Sequence, residues 1–197
     1  MNFFGSIILA SGSPRRRQLL TDAGFDLRVV NDREVEESYP SDLPVDRIPS
    51  YLSEVKARAY ADLTIEYGVP LVAADTIVIE SGEPLGKPVD AANAVELLKR
   101  LSGRWHTVVT GVEMLLPDGW AIGFSETTDV KFAELSRRLI ERYVDEFRPL
   151  DKAGAYGIQE WIGLVGVEQI RGDFYNIMGF PVCRFVKEYL KIFPTAL

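Results

Sequence analysis

The stretch Ile8–Gly24, "ILASGSPRRRQLLTDAG", decides the fold class. It begins as an apolar strand, turns at Ser11-Gly12-Ser13, and enters a helix with Ser13 as N-cap and Pro14 at the first helical position, where a missing N–H costs nothing. Gly24 closes that helix. Arg15, Arg16 and Arg17 then occupy the first turn, the positive end of the helix dipole, where a cation loses about 0.3–1 kcal/mol. Two readings compete. The arginines are solvated or paired with acids, or they converge with the free N–H groups of the helix start on an anion such as phosphate. A P-loop is excluded, because G-x-x-x-x-G-K-[ST] is absent.

Working outward, the spacing of Tyr51, Leu52, Val55, Ala59 and Leu63 predicts a second helix from about Ser50 to Tyr67, ended by Gly68. The nearly continuous apolar run Leu71–Ile79 reads as a buried strand. A third helix is capped by Asp90, turns Ala94, Val95, Leu98 and Leu101 inward, and stops at Gly103. "TVVTGVEMLL" and "WAIGFSETTDVKF" form an antiparallel hairpin across Pro117-Asp118-Gly119, and Ser136 caps a helix carrying Leu139, Ile140, Tyr143, Val144 and Phe147. A last hairpin is expected at Arg171-Gly172-Asp173, and Pro181 opens the C-terminal helix. The expected fold is α/β with a mixed sheet, and residues 1–197 read as one domain without an internal linker.

Composition narrows the function. The 29 acidic against 22 basic residues give a net charge of −7, which opposes nonspecific binding to nucleic acid. No apolar run approaches the roughly 18 residues of a spanning helix. The short apolar run near the N-terminus lacks a preceding basic region, so it reads as a strand and the expected location is the cytoplasm. A single cysteine, Cys183, excludes an internal disulfide and reads as a small core residue. The single histidine, His106, opens a strand and reads as structural or exposed rather than catalytic, and no thiolate or histidine cluster suggests zinc.

Asp75 is the most informative residue. A carboxylate inside an apolar strand needs a partner, whether a structural cation or a metal. Glu36-Glu37 are either solvated surface acids or further oxygen ligands. Lys56 on the second helix and Lys87 in "LGKPVD" join Arg15 and Arg16 as cations that can converge on one polyanion, while Asp75 and a glutamate supply the oxygen donors Mg²⁺ prefers. The set reads as a nucleotide phosphate site with a hard divalent ion.

"LASGSPRRRQLL", "EVEES", "VKARAYA", "VAADTIV", "LGKPVDAANAVELLKRLSGRWHTVVTGV", "LDKAGAYGIQ" and "GDFYNIMGFPV" resemble, in order and along nearly the whole chain, the Maf family of nucleoside triphosphate pyrophosphatases, which is also linked to inhibition of septum formation. The resemblance implies an elongated mixed-sheet α/β fold like that of inosine triphosphatases, with two lobes around a cleft and often a homodimer. Carried over by position, it makes Asp75 the catalytic acid/base, sets Ser13, Arg16, Lys56 and Lys87 on the phosphates, and gives Glu37, with Glu36 as the substitute, to a Mg²⁺ or Mn²⁺ ion that Asp75 also binds. Within the family, Arg15, Thr76 and Gln159 match the branch resembling enzymes that act on dTTP and UTP. The branch acting on 7-methyl-GTP carries Trp, Gln and Glu at these places. The resemblance thus implies pyrophosphate release from dTTP or UTP. The alternatives are a 7-methyl-GTP pyrophosphatase and a noncatalytic nucleotide-binding regulator of cell division. Glu160-Trp161 departs from the pattern, which usually continues with glycine after Gln159.

Overall fold

Seven strands form one mixed sheet in a computed structural model that describes residues 2–194. Strand β1 (Ser6–Ala10) leads into helix α1 (Pro14–Ala23) and returns to β2 (Asp26–Val30), which pairs parallel to β1. Helices α2 (Ile48–Arg58) and α3 (Asp62–Tyr67) precede β3 (Leu71–Glu80), which lies parallel to β1 on its other side. The short β4 (Glu83–Leu85) folds back on β3, and α4 (Ala91–Leu101) follows. Then come β5 (Trp105–Leu115), β6 (Ala121–Phe132), α5 (Arg137–Phe147), α6 (Trp161–Gly166), β7 (Val167–Arg171), α7 (Phe174–Met178) and α8 (Val182–Ile192). The strand order is β2-β1-β3-β5-β6-β7, with β7 antiparallel to β6, so the α/β class and the mixed sheet agree with the sequence reading.

The chain divides into two compact units, one made of residues up to Asp75 with Thr110–Glu126 and the segment from Gly179, the other of Thr76–Val109 and Thr127–Met178. In the first, β1 from Ile7 and β3 from Leu71 to Asp75 are buried, which explains their apolar character: Ile8, Ala10, Leu71 and Ala73 pack against Ala57 and Tyr60. Gly111 of β5 admits the start of α2, since a Cβ there would lie 2.3 Å from the backbone of Pro49. In the second unit, α4 and α5 cover Val78, Leu85, Val130 and Phe132, and α6 adds Ile162. His106 is buried here: its Nε2 meets the Tyr156 hydroxyl at 2.8 Å, and its ring stands edge-on to Phe132.

Three local expectations are corrected, and one helix is added. The helix expected from Ser50 to Tyr67 is two helices, because Arg33 takes the Ala59 carbonyl at 2.6 Å and the chain tightens to i→i−3 bonds from Tyr60 to Thr64. No hairpin forms at Arg171-Gly172-Asp173: the Asp173 carboxylate accepts from Tyr175 N at 2.8 Å and starts α7 instead. Helix α6 was not expected at all. Cys183 is exposed, because α8 turns Phe185 and Tyr189 inward.

Candidate active site

Asp75 lies in β3 at 9% exposure, and its charge is paired. Lys56 Nζ donates to Asp75 Oδ1 at 2.5 Å and meets Glu37 Oε1 at 2.9 Å, so one ammonium holds two carboxylates. Helix α2 presents Lys56 while burying Ile48, Leu52 and Ala57. The loop carrying Glu37 is fixed at two points. Val35 packs on the core under β1 and β3, and Arg33 reaches α3, with its guanidinium forked on Asp62 at 2.6 and 2.7 Å and its backbone N–H donating to the Tyr60 hydroxyl at 2.8 Å. Of the adjacent glutamates, it is Glu37 whose carboxylate is brought to Lys56.

The arginines of α1 separate into three roles. Arg17 is exposed and Arg15 half-buried, while Arg16 is held by the fold. Arg16 Nε donates to the Gly179 carbonyl at 2.9 Å, and Nη1 donates to the Ala74 carbonyl at 2.8 Å and to Ser11 Oγ at 3.3 Å. Burial lowers its pKa, Asp75 and Glu37 oppose that shift, and neighbouring Arg15 adds to it. The residue that ties down the backbone next to Asp75 therefore also faces the two carboxylates. Ser13 caps the helix as expected, its Oγ accepting from Arg16 N at 3.4 Å. The first unit thus brings together Ser13, Arg16, Lys56, Asp75 and Glu37 as two cations and two carboxylates beside a helix start.

The second unit holds Thr76, Lys87 and Gln159. Thr76 follows Asp75 along the strand, so the two side chains leave opposite faces of the sheet. Lys87 is exposed in the loop between β4 and α4, and that loop is tied to the "DKAGAYGIQ" segment by a 3.1 Å bond from Gly154 N to the Gly86 carbonyl. Gly154 has φ +67°, and a Cβ there would press on Val78 at 3.0 Å, so the glycine is required on both counts. Gln159 is exposed in the turn that follows.

Sequence reasoning missed Lys152, Tyr143 and the role of Glu160. Lys152 is buried, with its ammonium 2.7 Å from Asp151 and 3.1 Å from Glu160. The Tyr143 hydroxyl donates to the other Glu160 oxygen and accepts from Gly157 N at 3.1 Å. Its pKa is raised, first by burial and then by this bond to Glu160. The one available signal was an acid, Glu160, in place of the expected glycine.

Among the described residues, no group of three or more His, Cys, Asp or Glu forms a metal cage, and no helix is long and apolar enough to cross a membrane. A groove of about 450 Å³ lies along Ala57, Arg58, Ile65, Glu113 and Leu115, and none of the site residues lines it. Burial there raises the Glu113 carboxyl pKa.

The profile of the family described as Maf-like protein matches residues 6–192. The chain is 48% identical over 186 residues to the dTTP/UTP pyrophosphatase of Bacteroides thetaiotaomicron, covering 94% of this chain and 95% of that one. It is 46% identical over 192 residues to the dTTP/UTP pyrophosphatase of Cytophaga hutchinsonii, covering 97% and 86%. Among solved structures there is a distant likeness to the Ham1 protein of Staphylococcus aureus, 20% identical with a TM-score of 0.48 over 66% of this chain and 72% of that one.

Proposed function

This chain belongs to the Maf-like protein family, and on that premise we propose that it hydrolyses dTTP and UTP to the nucleoside monophosphate and pyrophosphate. The observation that carries the reading is Asp75, a buried strand carboxylate held by Lys56 beside Glu37 and Arg16. A water oxygen bonds to the α-phosphorus as the bond from that phosphorus to the α,β-bridging oxygen breaks. The water proton passes to Asp75, and the bridging oxygen leaves with pyrophosphate. Arg16, Lys56 and Lys87 supply positive charge to the phosphates, and Ser13 opens the helix start where backbone N–H groups favour an anion.

The donor set suits a hard divalent ion. Asp75 and Glu37 converge on one ammonium, so their oxygens lie close enough to share a cation, and they would hold Mg²⁺ or Mn²⁺. When bound, such an ion neutralises charge on the triphosphate. Base choice falls to Arg15, Thr76 and Gln159, with the Gln159 amide offering both a donor and an acceptor to the edge of uracil or thymine. Action as a single domain of residues 1–197 in the cytoplasm, read from the sequence, and as a homodimer, read from the family resemblance, is part of the same proposal.

The test is incubation with a panel of triphosphates plus Mg²⁺ or Mn²⁺, with pyrophosphate and orthophosphate detected separately. Pyrophosphate from dTTP and UTP in preference to purine triphosphates is expected, and that preference is lost in the triple change Arg15→Trp, Thr76→Gln, Gln159→Glu. Absence of any turnover overturns the enzyme in favour of a nucleotide-binding regulator. Equal kcat/KM for UTP and 7-methyl-GTP overturns the base assignment.

A further inference from the structure

We propose that Tyr143 and Glu160 are positioning residues that fix the turn presenting Gln159, and that they set base selectivity through the backbone of that turn. This rests on the reading that Gln159 meets the base. A glutamine on a free loop has to be ordered each time a ligand binds, which weakens its contacts and blurs the difference between one base and another. A residue that reads bases therefore needs a backbone that is fixed beforehand.

Gln159 is exposed, and the chain around it is held. Glu160 N donates to the Gly157 carbonyl at 2.9 Å, closing a turn around Ile158 and Gln159. The two ends of that turn meet at one hydroxyl: Tyr143 Oη, on α5, accepts from Gly157 N at 3.1 Å and donates to the Glu160 carboxylate. The other Glu160 oxygen pairs with Lys152 Nζ at 3.1 Å. This carboxylate folds back over Gly157, where a Cβ would lie 2.8 Å from Glu160 Cδ and push it off its partners. Between the two ends, Ile158 is sunk in the same core as Tyr143 and Ile162, and a Cβ on Gly163 would lie 1.8 Å from the Ile158 carbonyl oxygen. Both residues that depart from the family pattern dock on α5. Glu160 reaches Tyr143, and Trp161 stacks on Phe147 one turn further along, with ring centroids 6.5 Å apart and 9° between the planes. Glu160 opens α6 without capping it, because its oxygens are engaged by Tyr143 and Lys152. Tyr143 is fully buried, so it acts on Gln159 only through the turn.

The experiment pairs hydrogen exchange of the 157–160 amides with kcat/KM for UTP and GTP, measured by pyrophosphate release, in the parent, Tyr143→Phe, Glu160→Gln, Glu160→Ala and Gln159→Ala. Tyr143→Phe keeps the ring but takes the partner from Gly157 N, so the turn amides exchange at least about tenfold faster, as one lost buried hydrogen bond dictates. Its UTP-to-GTP ratio falls at least about threefold, near the low end of coupling within one hydrogen-bond network. Glu160→Gln still accepts from Tyr143 and keeps most of the parent ratio, whereas Glu160→Ala offers no acceptor and falls to the level of Tyr143→Phe. Combining Tyr143→Phe with Glu160→Ala lowers the ratio no further, because both changes open the same clamp. A residue that merely holds the fold would lower kcat/KM for both nucleotides in step and leave the ratio where it was. Turn amides that exchange at the parental rate in Tyr143→Phe, or a ratio unchanged in both Tyr143→Phe and Glu160→Ala while Gln159→Ala abolishes the preference, overturn the proposal. A ratio unchanged in Gln159→Ala instead overturns the reading that Gln159 meets the base.

Discussion

Arg16→Lys keeps the charge at the start of α1 and removes the fork. In the parent, two different guanidinium nitrogens reach two different carbonyls, Gly179 at 2.9 Å and Ala74 at 2.8 Å, and both of those residues are buried. A lysine carries one nitrogen at the end of its stem and cannot present donors at both places. At least one buried carbonyl loses its partner, which costs about 1–3 kcal/mol. For a chain of this size that lowers Tm by roughly 2–4 °C per kcal/mol. The same loss frees the backbone of Ala74, the residue before Asp75, so kcat falls as well as the affinity for triphosphate. Equilibrium urea unfolding followed by tryptophan fluorescence, run beside steady-state kinetics on UTP, separates the two roles. A variant that unfolds at the parent midpoint and loses only affinity would show that Arg16 binds phosphate without tying down β3. A variant with parental stability and parental kinetics would refute both.

Asp75→Asn retains an oxygen to accept from Lys56 but loses the base, and turnover of UTP is expected to fall at least about 10²-fold with the fold retained; near-parental kcat by pyrophosphate release removes Asp75 from its role. Glu37→Gln should raise the Mg²⁺ concentration for half-maximal activity, and if a titration shows the rise in Glu36→Gln instead, the ligand is one residue earlier. His106 makes stability depend on pH: burial pushes its pKa from 6.5 down to about 4, against weaker opposition from Glu80 and Asp129. Its contribution is complete above the unfolded value and is lost as the pH falls toward the folded one, because only the unfolded chain takes up the proton in that window. The loss is on the order of 3 kcal/mol. Unfolding free energies of His106→Gln measured between pH 7 and 4 should show a shallower acid slope than the parent, whatever the substitution costs at neutral pH; an identical slope rejects the assignment.

What the sequence made legible was set by neighbours along the chain. Ser13 and Gly24 bound α1, Asp90 and Ser136 cap α4 and α5, and Asp75 announces itself as a carboxylate in an apolar run. What stayed hidden was decided at long range. The break after α2 depends on Arg33, far upstream, taking the Ala59 carbonyl, and the Glu160 clamp needs Tyr143 from α5 and Lys152 from a loop. Which of Glu36 and Glu37 meets Lys56 is likewise set at long range. Cys183 is different, since the helical repeat of about 100° per residue already turns it roughly 200° from Phe185, away from the core. The three consecutive arginines are the instructive case. Three in a row suggest one shared role, yet it is Arg16 whose guanidinium reaches the backbone beside Asp75, because adjacent helical positions point in different directions.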